Sequence, residues 1–375
     1  MREEAYELIK EYLEKESVDA YLVSRTVNVR YVSGYTSDDA YLFLTRNKKY
    51  LITDPRYTEL AAAECPDYEL IDWRGSCGSV AAAVAFAAKE NGCRTIGYEE
   101  DSLTSGMFIR ICEALLDDAG ISSYSEESRS AVTPELIPAD GLIEEMRKHK
   151  NPWEIKCARA ASMITVRAFE RILHDIRPGV TEKELAANLS RYMVLEGADT
   201  MPYGNILISG ARTSLLHGVP SDKAVAYGDF VLMDFGCQFH GYMSDMTRTV
   251  VVGKADERQR EVYRLEQQMV KETEEFILPG RKVKDAYEVS TRAIRETEYY
   301  PYHYAGIGHG VGLFVHEHPF MGPRSEEVFE ENTIMTVEPG IYIPGWGGVR
   351  IEDTVLIKAD GIENLTPAGK ELIEL

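Results

Sequence analysis

The 375-residue chain carries 41 Lys and Arg against 62 Asp and Glu, a formal net charge of −21, and is 44% hydrophobic. That apolar content supports a sizeable core and excludes a disordered chain, and the length suggests two domains. The acidic balance repels phosphate backbones and anionic lipid, so neither nucleic acid nor a membrane is an expected partner.

The opening MREEAYELIK has early acid and no apolar core, so it does not read as a secretory signal. No apolar run approaches the roughly 18 residues of a membrane span. Cys65, Cys77, Cys93, Cys112, Cys157 and Cys237 form no C-x-x-C pair. They read as free thiols of a cytoplasmic protein.

Glu3 to Lys15 has helical spacing, with Ala5, Leu8, Ile9 and Leu13 on one stripe. Ala20 to Ser24 reads as a strand. Ala40 to Thr45 and Tyr50 to Thr53 read as a hairpin around Arg46-Asn47-Lys48. Helices are expected over Tyr57 to Glu64 and Ser79 to Glu90, and a strand over Thr95 to Tyr98. These elements predict a small α/β domain over residues 1–132. A connector from Thr133-Pro134 to Pro138-Ala139 opens a second domain, 133–375. Helices follow over Gly141 to Lys150 and Pro152 to Ile176, the latter capped by Asn151 with Pro152 in its first turn. Thr181 and Glu184 make a capping box for a helix reaching Leu195. Charged helices are expected near Glu257 to Glu275 and Val283 to Glu298. Helices kept apart from antiparallel hairpins predict an α+β second domain.

Phe230 to Phe235 is apolar apart from Asp234, and a buried strand should not carry an unpartnered carboxylate. Gly241 to Val252 reads as the returning strand, with Asp245 inside it. A hairpin centred between Phe239 and His240 would set Asp234 opposite Asp245, acid against acid. A protonated acid or an ion pair with Arg248 would relieve this, and so would a shared cation. The pattern recurs. Thr333 to Glu338 ends in an acid, Val349 to Ile357 contains Glu352, and a hairpin centred on Gly345 makes the two acids face each other. Between the hairpins, Gly306-Ile307-Gly308-His309-Gly310-Val311-Gly312 delivers one imidazole on a backbone able to pass close to its surroundings. Four carboxylates and one imidazole suit two adjacent divalent ions. Oxygen-rich ligation with one nitrogen and no thiolate suits manganese, cobalt or zinc.

Val231 to Gly236, Gly241 to Thr249, Gly308 to Leu313, Val315-His316-Glu317, Val337 to Gly340 and Gly348 to Asp353 strongly resemble the motif blocks of the pita-bread metallopeptidases, which include Xaa-Pro dipeptidase and aminopeptidase P. Asn28 to Tyr31, Ser33 to Tyr35 and Asp54 to Tyr57 resemble the creatinase-type N-terminal domain, and Arg147 to Glu154 resembles the R-x-x-K-x-P-x-E start of the catalytic one. The resemblance implies a pita-bread catalytic domain preceded by a smaller α/β creatinase-type domain. It implies metal ligands at Asp234, Asp245, His309, Glu338 and Glu352, with Glu338 also shuttling protons. It places His217 near the scissile bond, His316 on the substrate carbonyl, and Arg350 as an orienting residue that can help hold a substrate carboxylate. The implied reaction is hydrolysis, by a metal-bridged hydroxide, of the peptide bond before proline in short peptides. A homodimer is expected. One departure is Ala305, where family peptidases usually carry histidine; His303 is the nearest substitute. It raises an alternative, a same-fold hydrolase or lyase acting on a small non-peptide substrate.

Overall fold

A computed structural model describes residues 2–118, 134–139 and 141–375. They form two compact units that divide between Arg147 and Lys148. The boundary expected at 132/133, with Thr133 of the connector, lies outside the described residues. Pro134 to Ala139 is no linker: most of it is a strand of the first unit.

The first unit is built on α1 (Arg2–Lys15), β1 (Ala20–Val23), α2 (Thr26–Ser33), β2 (Ala40–Thr45), β3 (Lys49–Thr53), α3 (Thr58–Glu64), β4 (Glu69–Asp72), α4 (Val80–Glu90), β5 (Thr95–Tyr98), α5 (Ser105–Asp118) and β6 (Glu135–Pro138). The sheet order is β4-β3-β2-β1-β5-β6. The expected β2–β3 hairpin is present, with Ala40 opposite Thr53. Alanines of α4 pack against Leu22, Phe43 and Ile96. Their small side chains let the helix lie close to the sheet.

The second unit begins within α6 (Leu142–Lys148) and continues with α7 (Pro152–Ile172) and α8 (Glu182–Leu195). Both expected capping boxes form, Asn151 with Glu154 and Thr181 with Glu184. The strands are β7 (Ile206–Ser209), β8 (Phe230–Phe235), β9 (Gln238–Phe239), β10 (Tyr242–Met243) and β11 (Met246–Val251). After α9 (Glu257–Phe276) and α10 (Val283–Ser290) come β12 (Gly308–Gly310), β13 (Glu317–Met321), β14 (Ile334–Val337), β15 (Gly340–Ile343), β16 (Gly347–Arg350), β17 (Asp353–Lys358) and β18 (Gly361–Asn364). α7 and α8 cover the sheet β11-β8-β7 through one apolar cluster. α9 and α10 share a second cluster with β13, β14 and β17 of the sheet β13-β12-β14-β17-β18. Among the described residues no helix is long and apolar enough to cross a membrane.

The two acidic hairpins differ from expectation in one respect. Val337 pairs with Asp353 and Gly340 with Arg350, a single register that sets Glu338 across from Glu352 as expected. In the first hairpin Phe239 pairs with Tyr242, and His240 and Gly241 make the turn with φ of 49° and 90°. Two positive φ values in a two-residue loop match the twist of the strands. The centre therefore lies one residue later than expected, and Asp234 pairs with Thr247 rather than Asp245. Asp245 falls in the interruption between β10 and β11.

That interruption depends on Gly236. A Cβ there would lie 1.9 Å from the Ser244 carbonyl oxygen, a backbone clash that no rotamer relieves. We expect Gly236→Ala to destabilise the protein by about 2 kcal/mol or more, read by chemical denaturation. An unchanged denaturation midpoint would contradict this packing.

Candidate metal centre

Asp234 stands near the end of β8, and His309 is the middle residue of β12. The other three acids occupy strand interruptions: Asp245 between β10 and β11, Glu338 between β14 and β15, and Glu352 between β16 and β17. Each interruption is where a hairpin leaves one sheet for another. Backbone bonds lock the junctions together. The Glu352 amide donates to the Thr247 carbonyl at 3.0 Å and the Glu338 amide to that of Ile307 at 2.9 Å. The Thr354 hydroxyl donates to the Asp245 carbonyl at 2.7 Å. The glycines around His309 serve the same closeness. A Cβ at Gly308 would lie 2.3 Å from the Thr336 carbonyl oxygen, and one at Gly310 2.2 Å from that of His318.

Asp245, His309 and Glu352 bring donor atoms within 4.8 Å of one another. His309 Nε2 is 3.2 Å from Glu338 Oε1 and 3.8 Å from Asp245 Oδ2. Its Nδ1 lies 3.1 Å from the Gly310 carbonyl, which fixes a tautomer with Nε2 free to ligate. Asp234 joins the group through an ion pair with Arg350. All five expected ligands are thus in one place, and Arg350 is the guanidinium among them.

The hydroxyl residues around these acids carry no legible sequence signal. Thr247 Oγ1 accepts from Arg350 Nε at 3.0 Å and donates to Glu352 Oε2 at 2.6 Å. Tyr203 donates to Asp245, and Thr336 to Glu338 at 3.1 Å. Burial raises Glu352 and Asp245 well above the usual carboxylate range, and neighbouring acids push the same way. Burial also raises Asp234, against the pull of Arg350. Glu338 goes the other way: its bond to His309 overcomes burial and lowers it. Arg248 is no partner for Asp234 or Asp245. Its guanidinium pairs with Asp353 at 2.6 Å and donates to the carbonyls of Thr247 and Glu352.

Arg350 also donates to Tyr342 Oη at 2.9 Å and to the Leu216 carbonyl at 3.4 Å. With Asp234 and Thr247 these partners occupy its nitrogens, which favours the orienting role over contact with a substrate carboxylate. The His316 ring is exposed and stands edge-on to His309, with centroids 4.4 Å apart. His217 is exposed too, and near enough for its charge to lower both Asp234 and His316. His303 does not replace the histidine missing at Ala305. Its Nε2 bonds the Tyr287 hydroxyl at 2.7 Å and its Nδ1 the Tyr300 carbonyl at 2.5 Å.

An α+β unit of antiparallel sheets, with three acids at the sheet junctions and a fourth acid and an imidazole on the strands beside them, is the pita-bread arrangement of the creatinase and aminopeptidase class. Residues 156–359 match metallopeptidase family M24, and residues 6–149 match the creatinase/prolidase N-terminal domain. The chain belongs to the M24 metallopeptidases. It is 34% identical over 378 residues to the Xaa-Pro dipeptidase of Pyrococcus horikoshii, covering 100% of this chain and 99% of that one. Its structure is similar to that of an Xaa-Pro dipeptidase from Bacillus anthracis, with a TM-score of 0.91, 35% identity and 100% of both chains covered. It is also similar to an X-Pro aminopeptidase from Thermotoga maritima, with a TM-score of 0.88, 32% identity and 99% of both chains covered.

Cation-free protein should report this electrostatic conflict. Burial alone would lower the His309 imidazole, but the Glu338 carboxylate overrides it and raises the value from 6.5 to about 9. A histidine raised on folding contributes stability that is complete below its unfolded value and lost as pH rises through the folded one. The raised Asp245 and Glu352 act in the same direction, because their ionisation is resisted only in the folded state. The lowered Glu338 contributes stability that is lost only on the acid side of the usual glutamate range. Chelator-treated protein should therefore lose thermal stability as pH rises from 6.5 to about 9. A melting temperature that stays level or rises across that window would contradict the assignment.

Proposed function

We propose that the chain hydrolyses the peptide bond preceding proline in short peptides, with two divalent cations held by Asp234, Asp245, His309, Glu338 and Glu352. The observation that carries this is the convergence of four acids and one imidazole on one buried place with a single guanidinium among them. Oxygen donors with one nitrogen and no thiolate suit manganese, with cobalt or zinc as alternatives. Bound there, the cations would supply Lewis-acid activation of water and of the scissile carbonyl.

The protein's own residues supply the rest. Glu338 is held ionised by His309 and Thr336 and can take up a proton. Partial burial, with the charge of His309, lowers the His316 imidazole, which favours a neutral ring able to donate an N–H to oxygen gaining charge at the substrate carbonyl. His217 offers a second imidazole, near enough for its charge to act on His316 and Asp234. Arg350 fixes Asp234, and through Thr247 it fixes Glu352. Relatives named Xaa-Pro dipeptidase favour a peptide over the small non-peptide substrate that Ala305 raised. The expected homodimer and cytoplasmic location belong to this reading as well.

Manganese-loaded protein should cleave Xaa-Pro dipeptides, and a length series of peptides with proline second separates dipeptidase from aminopeptidase. No turnover on any of them would sink the proposal. Asp245→Ala should lose both bound metal, by elemental analysis, and activity. His316→Ala should keep its metal while kcat falls by about a hundredfold. Loss of metal in that variant would make His316 a ligand rather than a substrate contact.

A further inference from the structure

Glu182 is the first residue of α8, a position where a glutamate ordinarily faces water. Here it is fully buried. It is not needed to cap the helix, because Thr181 and Glu184 already do so. Its carboxylate instead gathers donors from both ends of one loop. Oε1 accepts from the Ser209 amide at 2.7 Å and the Ser209 hydroxyl at 3.0 Å. Oε2 accepts from the Ser221 amide at 2.9 Å and the Ser221 hydroxyl at 2.8 Å. Arg212 Nε lies 3.3 and 3.2 Å from the two oxygens. Ser209 ends β7, and the loop from there to Ser221 carries His217.

The clasp continues inside the loop. Arg212 Nη2 donates to the Val219 carbonyl at 2.7 Å, two residues beyond His217. Thr213 Oγ1 accepts from the Gly348 amide of β16 at 2.8 Å, and Arg350 reaches the Leu216 carbonyl. An exposed histidine on a free loop would sample many positions. This one is carried on a loop closed at its neck by a single buried carboxylate. Burying a carboxylate is costly unless its lone pairs are filled, and here every donor to it comes from that loop.

We propose that Glu182 is a positioning residue for the reaction: it closes the loop 209–221 and, through Arg212, fixes where His217 stands relative to Asp234. This rests on the role given to His217 in the proposed hydrolysis.

The test uses manganese-loaded full-length protein with an Xaa-Pro dipeptide. Glu182→Gln keeps the shape and removes the charge. Arg212→Met, at a partly exposed side chain, is the companion if the first variant does not fold. We expect kcat/KM to fall about tenfold, mainly in kcat, with metal content unchanged. Combined with His217→Ala, neither variant should lower kcat/KM further than His217→Ala alone. Amide exchange over residues 210–221 should accelerate while the strands keep their protection. Losses that multiply with that of His217→Ala, or unchanged loop exchange, would overturn the proposal. If the wild-type protein cleaves no Xaa-Pro peptide, the functional reading fails, and loop exchange alone still decides whether Glu182 holds the loop.

Discussion

Four carboxylates crowd into a largely buried place where water screens them poorly, and much of the second unit can be understood as the means of holding them there. Two like charges about 4 Å apart repel by about 4 kcal/mol at an effective dielectric near 20. Asp234 pairs with Arg350, and Glu338 with the His309 imidazole. Asp245 and Glu352 are left on the protonated side of their ordinary balance. Regular strands would not gather such residues. Three of the acids sit where strands stop, between β10 and β11, β14 and β15, and β16 and β17, because there a side chain can leave the alternation of a sheet face. Hydroxyls of Thr247, Tyr203 and Thr336 then meet lone pairs that ladder amides do not reach.

The repulsion is contained from behind. Arg248 is almost wholly buried. It ties the carbonyls of Thr247 and Glu352 to Asp353, and to Ala368 and Gly369 of the C-terminal segment. Lys370 of that segment bonds both Asp353 and Glu274 of α9. A strongly charged network therefore lies directly behind an acidic site, with Arg248 donating to the backbone that carries Glu352. Its net effect on stability is modest, since buried pairs roughly repay their desolvation. Its effect on geometry is larger: Glu352 cannot withdraw without breaking a fully bonded guanidinium.

Which parts of this were readable from the sequence follows from what each signal encodes. Acids inside apolar runs are anomalous at the level of composition, so Asp234, Asp245, Glu338 and Glu352 stood out. Caps are local chemistry, so Asn151 with Glu154 and Thr181 with Glu184 were legible. The first hairpin was misplaced by one residue because His240, not a glycine or asparagine, takes the first positive φ of the turn. The helices ended earlier than their periodicity, at Ile172 rather than Ile176 and at Ser290 rather than Glu298, where the chain turns into tighter or irregular coils. Tyr203, Thr247 and Glu182 had no signal. A buried glutamate at a helix start looks like any exposed one, and only the donors folded around it tell them apart.

The two histidines outside the ligand set show how exposure and precision coexist. His316 and His217 must meet a substrate, so neither can be buried, yet an exposed side chain on a loop is poorly placed for chemistry that tolerates little displacement. In both loops a buried carboxylate does the holding. Glu182 closes the loop that carries His217. Glu317, next to His316, accepts from the Phe314 amide at 2.9 Å and pairs with buried Lys150 at 3.2 Å. Lys150 stands just before the cap of α7, in the stretch Arg147 to Glu154, and Glu154 of the same stretch accepts from Tyr242 of the first acidic hairpin. What looks in sequence like the start of a helix is therefore also a fixture of the site. Its charges reach the hairpin of Asp245 and the loop of His316, and the helix cap sets where those charges stand.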